Sequence, residues 1–179
     1  MAAAVLAGSL GLLVSSAQAA SLNVKTGLWE TTSQAQVSGA PPVPQAALDK
    51  MPPEARAKMD AAVKGIMAAM SKPHTARSCV TQDQIDKAFA DMGKNQGDCK
   101  RTSISGSDSE QTFQMVCKSQ HGTMTGNFHI AAANPETVNG VFDMAVVGEG
   151  NTMKIHTVMQ GRWISAGCGD IKPGDVKMQ

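Results

Sequence analysis

The apolar positions of this chain follow two periods, and the first half mixes strand-like and helix-like segments. From Leu22 to Val37, apolar and β-branched residues alternate with polar ones, which predicts a strand. After the Pro-rich break at Gly39–Pro44, Pro52 and Pro53 suit the first turn of a helix. Apolar residues then recur at helical spacing, at Met59, Val63, Ile66, Met67 and Met70. We therefore expect a strand followed by a longer helix that ends before Pro73.

A second, shorter helix is predicted directly after Val80. Thr81 and Gln84 have the spacing of a capping box. An apolar stripe follows, and Gly93 provides a stop signal. The stripe consists of Ile85, Phe89 and Met92.

From Cys99 onward the apolar period changes from that of a helix to that of a strand. We predict strands near 99–106, 110–119, 122–132, 137–147 and 152–165, joined by short turns. Short strands joined in sequence favour an antiparallel meander over βαβ units. The predicted fold is mainly β (α+β), with about six strands that can curl on themselves and one longer and one short helix inserted after the first strand. We expect a single β-rich domain over residues 20–179, with the helical insertion at about 40–73.

The first 19 residues have the pattern of a signal peptide. Ala2 to Val14 is an uncharged apolar run, too short to anchor the chain in a bilayer. Ala17-Gln18-Ala19 then gives the small-x-small pattern of a signal-peptidase site, although no Lys or Arg precedes the apolar run. We expect cleavage near Ala19, export to the periplasm, and no transmembrane anchor in the rest of the chain.

Four cysteines lie in the exported part, at Cys79, Cys99, Cys117 and Cys168. An even number in an oxidising compartment predicts two disulfides, for which spacing alone leaves three pairings open. We favour Cys79–Cys99, which closes a short loop around the second helix. The other favoured pair is Cys117–Cys168, which ties a central strand to the chain end.

The composition argues against nucleic acid as a partner. The chain has a net charge of +1, no Tyr, four Phe and two Trp. It therefore has neither a general phosphate-binding field nor many aromatic platforms for stacked bases. Leu is scarce and Met is frequent, with 12 Met in the chain, so the core depends on Val, Ile and Met.

Several short motifs, taken in order, resemble a known family. They are Gly27-Leu28-Trp29-Glu30, Cys79-Val80-Thr81, Met115-Val116-Cys117, Gly122-Thr123-Met124-Thr125-Gly126 and Gly161-Arg162-Trp163-Ile164 followed by Cys168. Together they resemble the exported bacterial family catalogued as domain of unknown function 3617, over about Thr26 to Cys168. The resemblance implies a periplasmic, disulfide-bearing, β-rich domain without an established biochemical activity. The stretch from Gly39 to Pro73 is longer than is usual in that family, and eleven residues follow Cys168.

One pair of residues suggests acid–base chemistry. If Glu149-Gly150 forms a two-residue hairpin turn, the register places Asp143 opposite His156, with His129 on the same face of the next strand. Such a pair on a flat, wet sheet face is more typical of an exposed cross-strand contact than of a catalytic site. The chain carries no nucleophile elbow, zinc-protease motif or P-loop, so we expect a protein that is not an enzyme and has no cofactor.

The expected function is binding of a small apolar ligand or of another envelope protein. A curled sheet covered by a Met-striped helix forms an adaptable apolar groove. The alternative is copper binding through Met and His, because Met67 and Met70 have the M-x-x-M spacing and thioethers favour Cu(I). A hydrolytic enzyme is the third hypothesis. The candidate ligand contacts are Trp29, Met67, Met70 and Trp163.

Overall fold

The computed structural model describes residues 21–87, 98–119, 122–148 and 150–179. The predicted signal peptide, residues 1–19, lies outside the described residues, as do Phe89, Met92 and the predicted helix end at Gly93. In chain order the elements are β1 (Gly27–Gly39), α1 (Gln45–Asp49), α2 (Pro53–Met70), β2 (His74–Val80), α3 (Gln82–Lys87), β3 (Asp98–Gly106), β4 (Glu110–Ser119), β5 (Gly122–Asn134), β6 (Thr137–Val147), β7 (Thr152–Ser165) and β8 (Val176–Met178).

The strands form one antiparallel sheet in the order β3-β4-β5-β6-β7-β1-β2-β8. The mainly β prediction and the meander from β3 to β7 are confirmed. The described strands number eight rather than about six, because β2 and β8 were missed. β2 lies between two helices and pairs with β1, and β8 has only three residues that pair with β2.

Opposite residues in antiparallel pairs share a face, so the register defines two faces of the sheet. We call the face that carries Phe113, Phe128 and Phe142 the inner face. The rings of Phe113 and Phe128 stack with centroids 4.4 Å apart, and Phe142 is tilted against Phe128 at 5.6 Å. The Phe128 ring covers Gly126, where an added Cβ would come within 2.5 Å of a ring carbon. These rings form a packed row in the middle of the inner face.

The other face, here called the outer face, carries an ion cluster across three adjacent strands. Glu30 on β1 lies between Arg77 on β2 and Arg162 on β7. Its carboxylate accepts hydrogen bonds from Arg162 Nε at 3.0 Å and from Arg77 Nε at 2.9 Å. The hydrogen bonds from Arg162, and next those from Arg77, lower the pKa of Glu30 below its usual value of 4.5. The ion cluster thus links β7, the last strand of the meander, through β1 to β2, which the sequence did not predict.

Helices α2 and α3 begin where the sequence predicted, whereas the short α1 was not predicted, and α2 packs loosely. None of the 18 residues of α2 is buried, and the helix packs mainly against β1. At α3 the capping box is confirmed, because Thr81 N–H donates to Gln84 Oε1 at 2.8 Å and Gln84 N–H donates to Thr81 Oγ1 at 3.3 Å. The predicted Met-striped helix therefore does not form a buried core with the sheet.

All four cysteines form disulfides, but the favoured pairing was wrong. The structure joins Cys79 to Cys168 and Cys99 to Cys117. Cys99 and Cys117 are directly opposite each other in the β3–β4 hairpin. Leu28 on β1 is opposite Cys79 on β2 and, on its other side, opposite Ser165 at the end of β7. Cys168 follows Ser165 by three residues, so it can reach Cys79. The predicted Cys79–Cys99 pair fails because β2 and β3 lie near opposite edges of the sheet.

Candidate functional site

An apolar cavity of about 350 Å³ lies at the end of the inner face that is close to the β5–β6 turn. Ile130, Val138 and Met159 contribute from β5, β6 and β7, and Ser78 and Val80 contribute from β2. Strands as far apart in the sheet as β5 and β2 thus line the same cavity. The sheet therefore curls around this end of its inner face, although it does not close.

The segment that precedes β1 closes one side of the cavity. The sequence predicted a strand from Leu22, but residues 21–26 are not in a strand and cross the end of the sheet instead. Asn23 N–H donates to the Asp108 carbonyl at 2.6 Å, and Lys25 N–H donates to the Pro135 carbonyl at 2.8 Å. Leu22, which is buried, and Val24 line the cavity. We refer to residues 21–26 as the N-terminal strap.

Two further segments complete the wall. α3 contributes the buried Ile85 together with Gln84, whose side chain also takes part in the capping box. The chain end contributes Gly174 to Val176, held by the short β8 and by the Cys79–Cys168 disulfide. Among the described residues the lining is thus mostly aliphatic, and its polar members are Ser78, Gln84 and Asp175. Such a lining suits an apolar molecule with a small polar end.

The two tryptophans anchor the strap and do not line this cavity. Trp29 is only 5% exposed, and its indole N–H donates to the Lys25 carbonyl at 2.8 Å. The indole N–H of Trp163 donates to the Thr26 carbonyl at 2.9 Å. Lys25 Nζ lies 4.5 Å from the centroid of the Trp163 ring and forms an ion pair with Glu136. Both indoles thus contact the strap next to the cavity rather than the cavity itself.

The two candidate methionines of α2 lie away from the tryptophans. Met67 lines a separate groove of about 400 Å³ between α2, α1 and the chain after β1, together with Leu48, Met59 and Val63. Met70 is 36% exposed and does not line that groove. The structure therefore does not gather the four candidate ligand contacts into one site.

The residues of the observed cavity were missed because they come from seven separate segments. Alternation along β5 alone puts Ile130 on one face with Phe128, so part of the lining has a sequence signal. The contributions of the strap, α3 and the chain end depend on long-range contacts and had none.

The predicted Asp143–His156 register is confirmed on the outer face. His156 Nδ1 and Asp143 Oδ1 are 2.7 Å apart, with side chains 45% and 57% exposed. His129 shares that face, but its Nε2 lies 2.8 Å from Glu110 Oε1.

Within the described ranges no three His, Cys, Asp or Glu residues are grouped so as to hold a metal ion. Nor does any helix there combine the length and apolar character of a membrane span.

Comparison with known proteins gives a family without an assigned activity. No curated protein and no solved structure matches the chain. Residues 24–168 match the sequence profile of the family described as "Protein of unknown function (DUF3617)", from the strap to the second partner of the Cys79–Cys168 disulfide. The chain belongs to this DUF3617 family.

Proposed function

We propose that this protein is an exported, non-enzymatic binding module that holds a small apolar ligand in the cavity at the end of the inner face. The observation that carries the proposal is the mostly aliphatic surface that the curled sheet, the strap, α3 and the chain end contribute to one open cavity. Removing apolar surface of a ligand from water supplies about 25 cal/mol per Å², so a cavity of this kind favours apolar guests.

The size and polarity of the cavity narrow the ligand class. Its volume of about 350 Å³ is near the small end of the range of about 300–1,000 Å³ that is usual for small-molecule sites. Among the described residues the lining contains no aromatic side chain, so aliphatic contacts dominate over ring stacking there. The hydroxyl of Ser78, the amide of Gln84 and the carboxyl group of Asp175 are the groups available to a polar end. A single short acyl chain or a compact apolar molecule fits these properties.

Export to the periplasm is part of the same proposal. Its supports are the apolar leader with its Ala17-Gln18-Ala19 site and the two disulfides, which persist in oxidising compartments. Cell fractionation followed by mass measurement of the intact protein tests it. A product that retains residues 1–19, or that remains in the cytoplasm, contradicts export.

Ligand binding is tested with a fluorescent apolar probe, 1-anilinonaphthalene-8-sulfonate, and with hexanoate to octanoate as competitors. We expect saturable probe binding that Met159→Trp abolishes, because Met159 lines the cavity and the larger ring fills it. Val158→Trp is the matched control, since the neighbouring Val158 faces outward and is 45% exposed. Equal probe binding by both variants contradicts this location of the site.

Native mass spectrometry after mild extraction identifies the occupant. A copurified apolar molecule supports the proposal. A copurified protein held at the cavity, displaced by Met159→Trp and not by Val158→Trp, supports instead the hypothesis of another envelope protein as partner.

A further inference from the structure

Four methionines share the inner face at the end remote from the cavity: Met115 on β4 and one each on β5, β6 and β7. The three on β5, β6 and β7 are grouped around Val146. Met124 on β5 and Met153 on β7 are both directly opposite Val146 on β6. Met144 is two residues from Val146 on the same strand, so its side chain is on the same face. All three methionines are partly buried. Met144 thus lies on the strand between the other two methionines, two residues nearer to the cavity than Val146.

The separations within this group suit a common ligand. Met144 is a diagonal neighbour of both Met124 and Met153, and such neighbours are about 7–8 Å apart across a sheet. A methionine side chain is long and has three rotatable bonds, so three sulfur atoms from these positions can meet near Val146. The arrangement allows trigonal coordination of one ion.

The chemistry of the surroundings selects the ion. Thioether sulfur is a neutral, soft donor that favours Cu(I) over hard cations. The thiol of Cys117, which is directly opposite Met124, is consumed in the disulfide with Cys99. Asp143 and His156 lie on the outer face and cannot complete the same site. Within the part of the chain that the structure describes, methionines are therefore the soft ligands at this end of the inner face.

We propose that Met124, Met144 and Met153 form a Cu(I) site on the inner face, separate from the apolar cavity. The site differs from the M-x-x-M pair of α2, because only Met67 of that pair lines the groove beside the helix. The row of Phe128 and Phe142 separates the three methionines from Ile130 and Met159 of the cavity. The proposal of copper binding and the proposal of apolar ligand binding can therefore be tested independently of each other.

The affinity is measured by competition with the Cu(I) chelator bicinchoninate in ascorbate, on the protein with both disulfides intact. We expect one Cu(I) per chain with a submicromolar Kd that is the same at pH 5.5 and pH 7.5. Thioethers carry no proton to lose at these pH values, whereas a histidine site weakens about tenfold below the usual His pKa of about 6.5. A Kd weaker than micromolar, or a Kd that rises about tenfold at the lower pH, overturns the proposal.

Leucine variants locate the site, because Met-to-Leu exchange nearly conserves volume. Met144→Leu should weaken Cu(I) binding at least tenfold, and the triple variant at positions 124, 144 and 153 should abolish it. Met159→Leu on the same face and the double variant Met67→Leu/Met70→Leu are controls that should bind as the wild type does. Unchanged affinity in the triple variant, or loss in the helix double variant, overturns the assignment.

A measurement on the wild-type protein protects the test against misfolding of the variants. Addition of Cu(I), or of Ag(I) as a redox-inert substitute, should shift the methyl resonances of Met124, Met144 and Met153. Shifts confined to other methionines contradict the site.

Discussion

Trp29 and Trp163 lie directly opposite each other on β1 and β7, and both indoles donate hydrogen bonds to the strap that precedes β1. The acceptors are the carbonyl groups of Lys25 and Thr26, at 2.8 and 2.9 Å. Two residues that are far apart in the chain thus hold one side of the cavity in place. The strap thus links the pairing of β1 with β7 to one wall of the cavity.

Trp29→Phe should therefore loosen the strap. The variant removes the N–H that satisfies the Lys25 carbonyl in a part-buried place, at a cost of about 1–3 kcal/mol. Amide hydrogen exchange of Asn23 and Lys25, which donate to Asp108 and Pro135, should become faster than in the wild type. Trp163→Phe is the control with an exposed hydrogen bond and should cost about 1 kcal/mol or less. Unchanged exchange of both amides in Trp29→Phe contradicts the role of the strap anchor.

The two disulfides should contribute unequally to stability. Cys79 and Cys168 are 89 residues apart in the chain, and Cys99 and Cys117 are 18 apart. On the loop-entropy model the longer loop is worth about 4–5 kcal/mol and the shorter about 3 kcal/mol. Denaturant unfolding of Cys79→Ser/Cys168→Ser and Cys99→Ser/Cys117→Ser measures the difference.

Peptide mapping of the non-reduced protein provides the control for this comparison. It should recover Cys79 joined to Cys168 and Cys99 joined to Cys117. Recovery of Cys79 joined to Cys99 contradicts the pairing, and a larger loss of stability from the Cys99–Cys117 double variant contradicts the ranking.

Local signals were sufficient for most strands, but not for the edge that builds the cavity. Strands β4, β6 and β7 begin and end where alternation predicted, and the capping box set the start of α3. β2 has the sequence His-Thr-Ala-Arg-Ser-Cys-Val, whose mostly polar residues show no clear alternation between two helical segments. It becomes a strand because β1 offers it a full set of partners.

The disulfides and the cavity were missed for the same reason. Once β2 is absent from the prediction, Cys79 belongs to a loop next to Cys99, and a short-range bond looks favourable. Once β2 is placed beside β1, the end of β7 brings Cys168 to Cys79, and the chain end becomes a wall of the cavity. One missing strand thus accounts for the wrong pairing and for much of the unpredicted site.

The Asp143–His156 pair should be neither catalytic nor important for stability. Both side chains are about half exposed, and exposed ion pairs contribute about 0–1 kcal/mol. Asp143→Asn and His156→Gln should each change the free energy of unfolding by less than about 1 kcal/mol. Probe binding in the cavity should stay the same, since the pair lies on the outer face. A loss of more than about 1 kcal/mol in the free energy of unfolding, or a loss of probe binding, in either variant contradicts this prediction.

Part of the free energy of unfolding should depend on the ionised Glu30 and be lost in acid. Its pKa is lowered in the folded protein by Arg162 and Arg77, so the ionised form stabilises the fold above the unfolded-state value of 4.5. That contribution is lost as the pH falls through the lowered, folded-state pKa. Glu30→Gln should therefore destabilise the protein at pH 7 and converge with the wild type towards pH 2 in denaturant unfolding. Glu136→Gln, which breaks the half-exposed ion pair with Lys25, is the control and should have a smaller effect at pH 7. An equal gap between Glu30→Gln and the wild type at both pH values contradicts a charge-dependent role for the cluster.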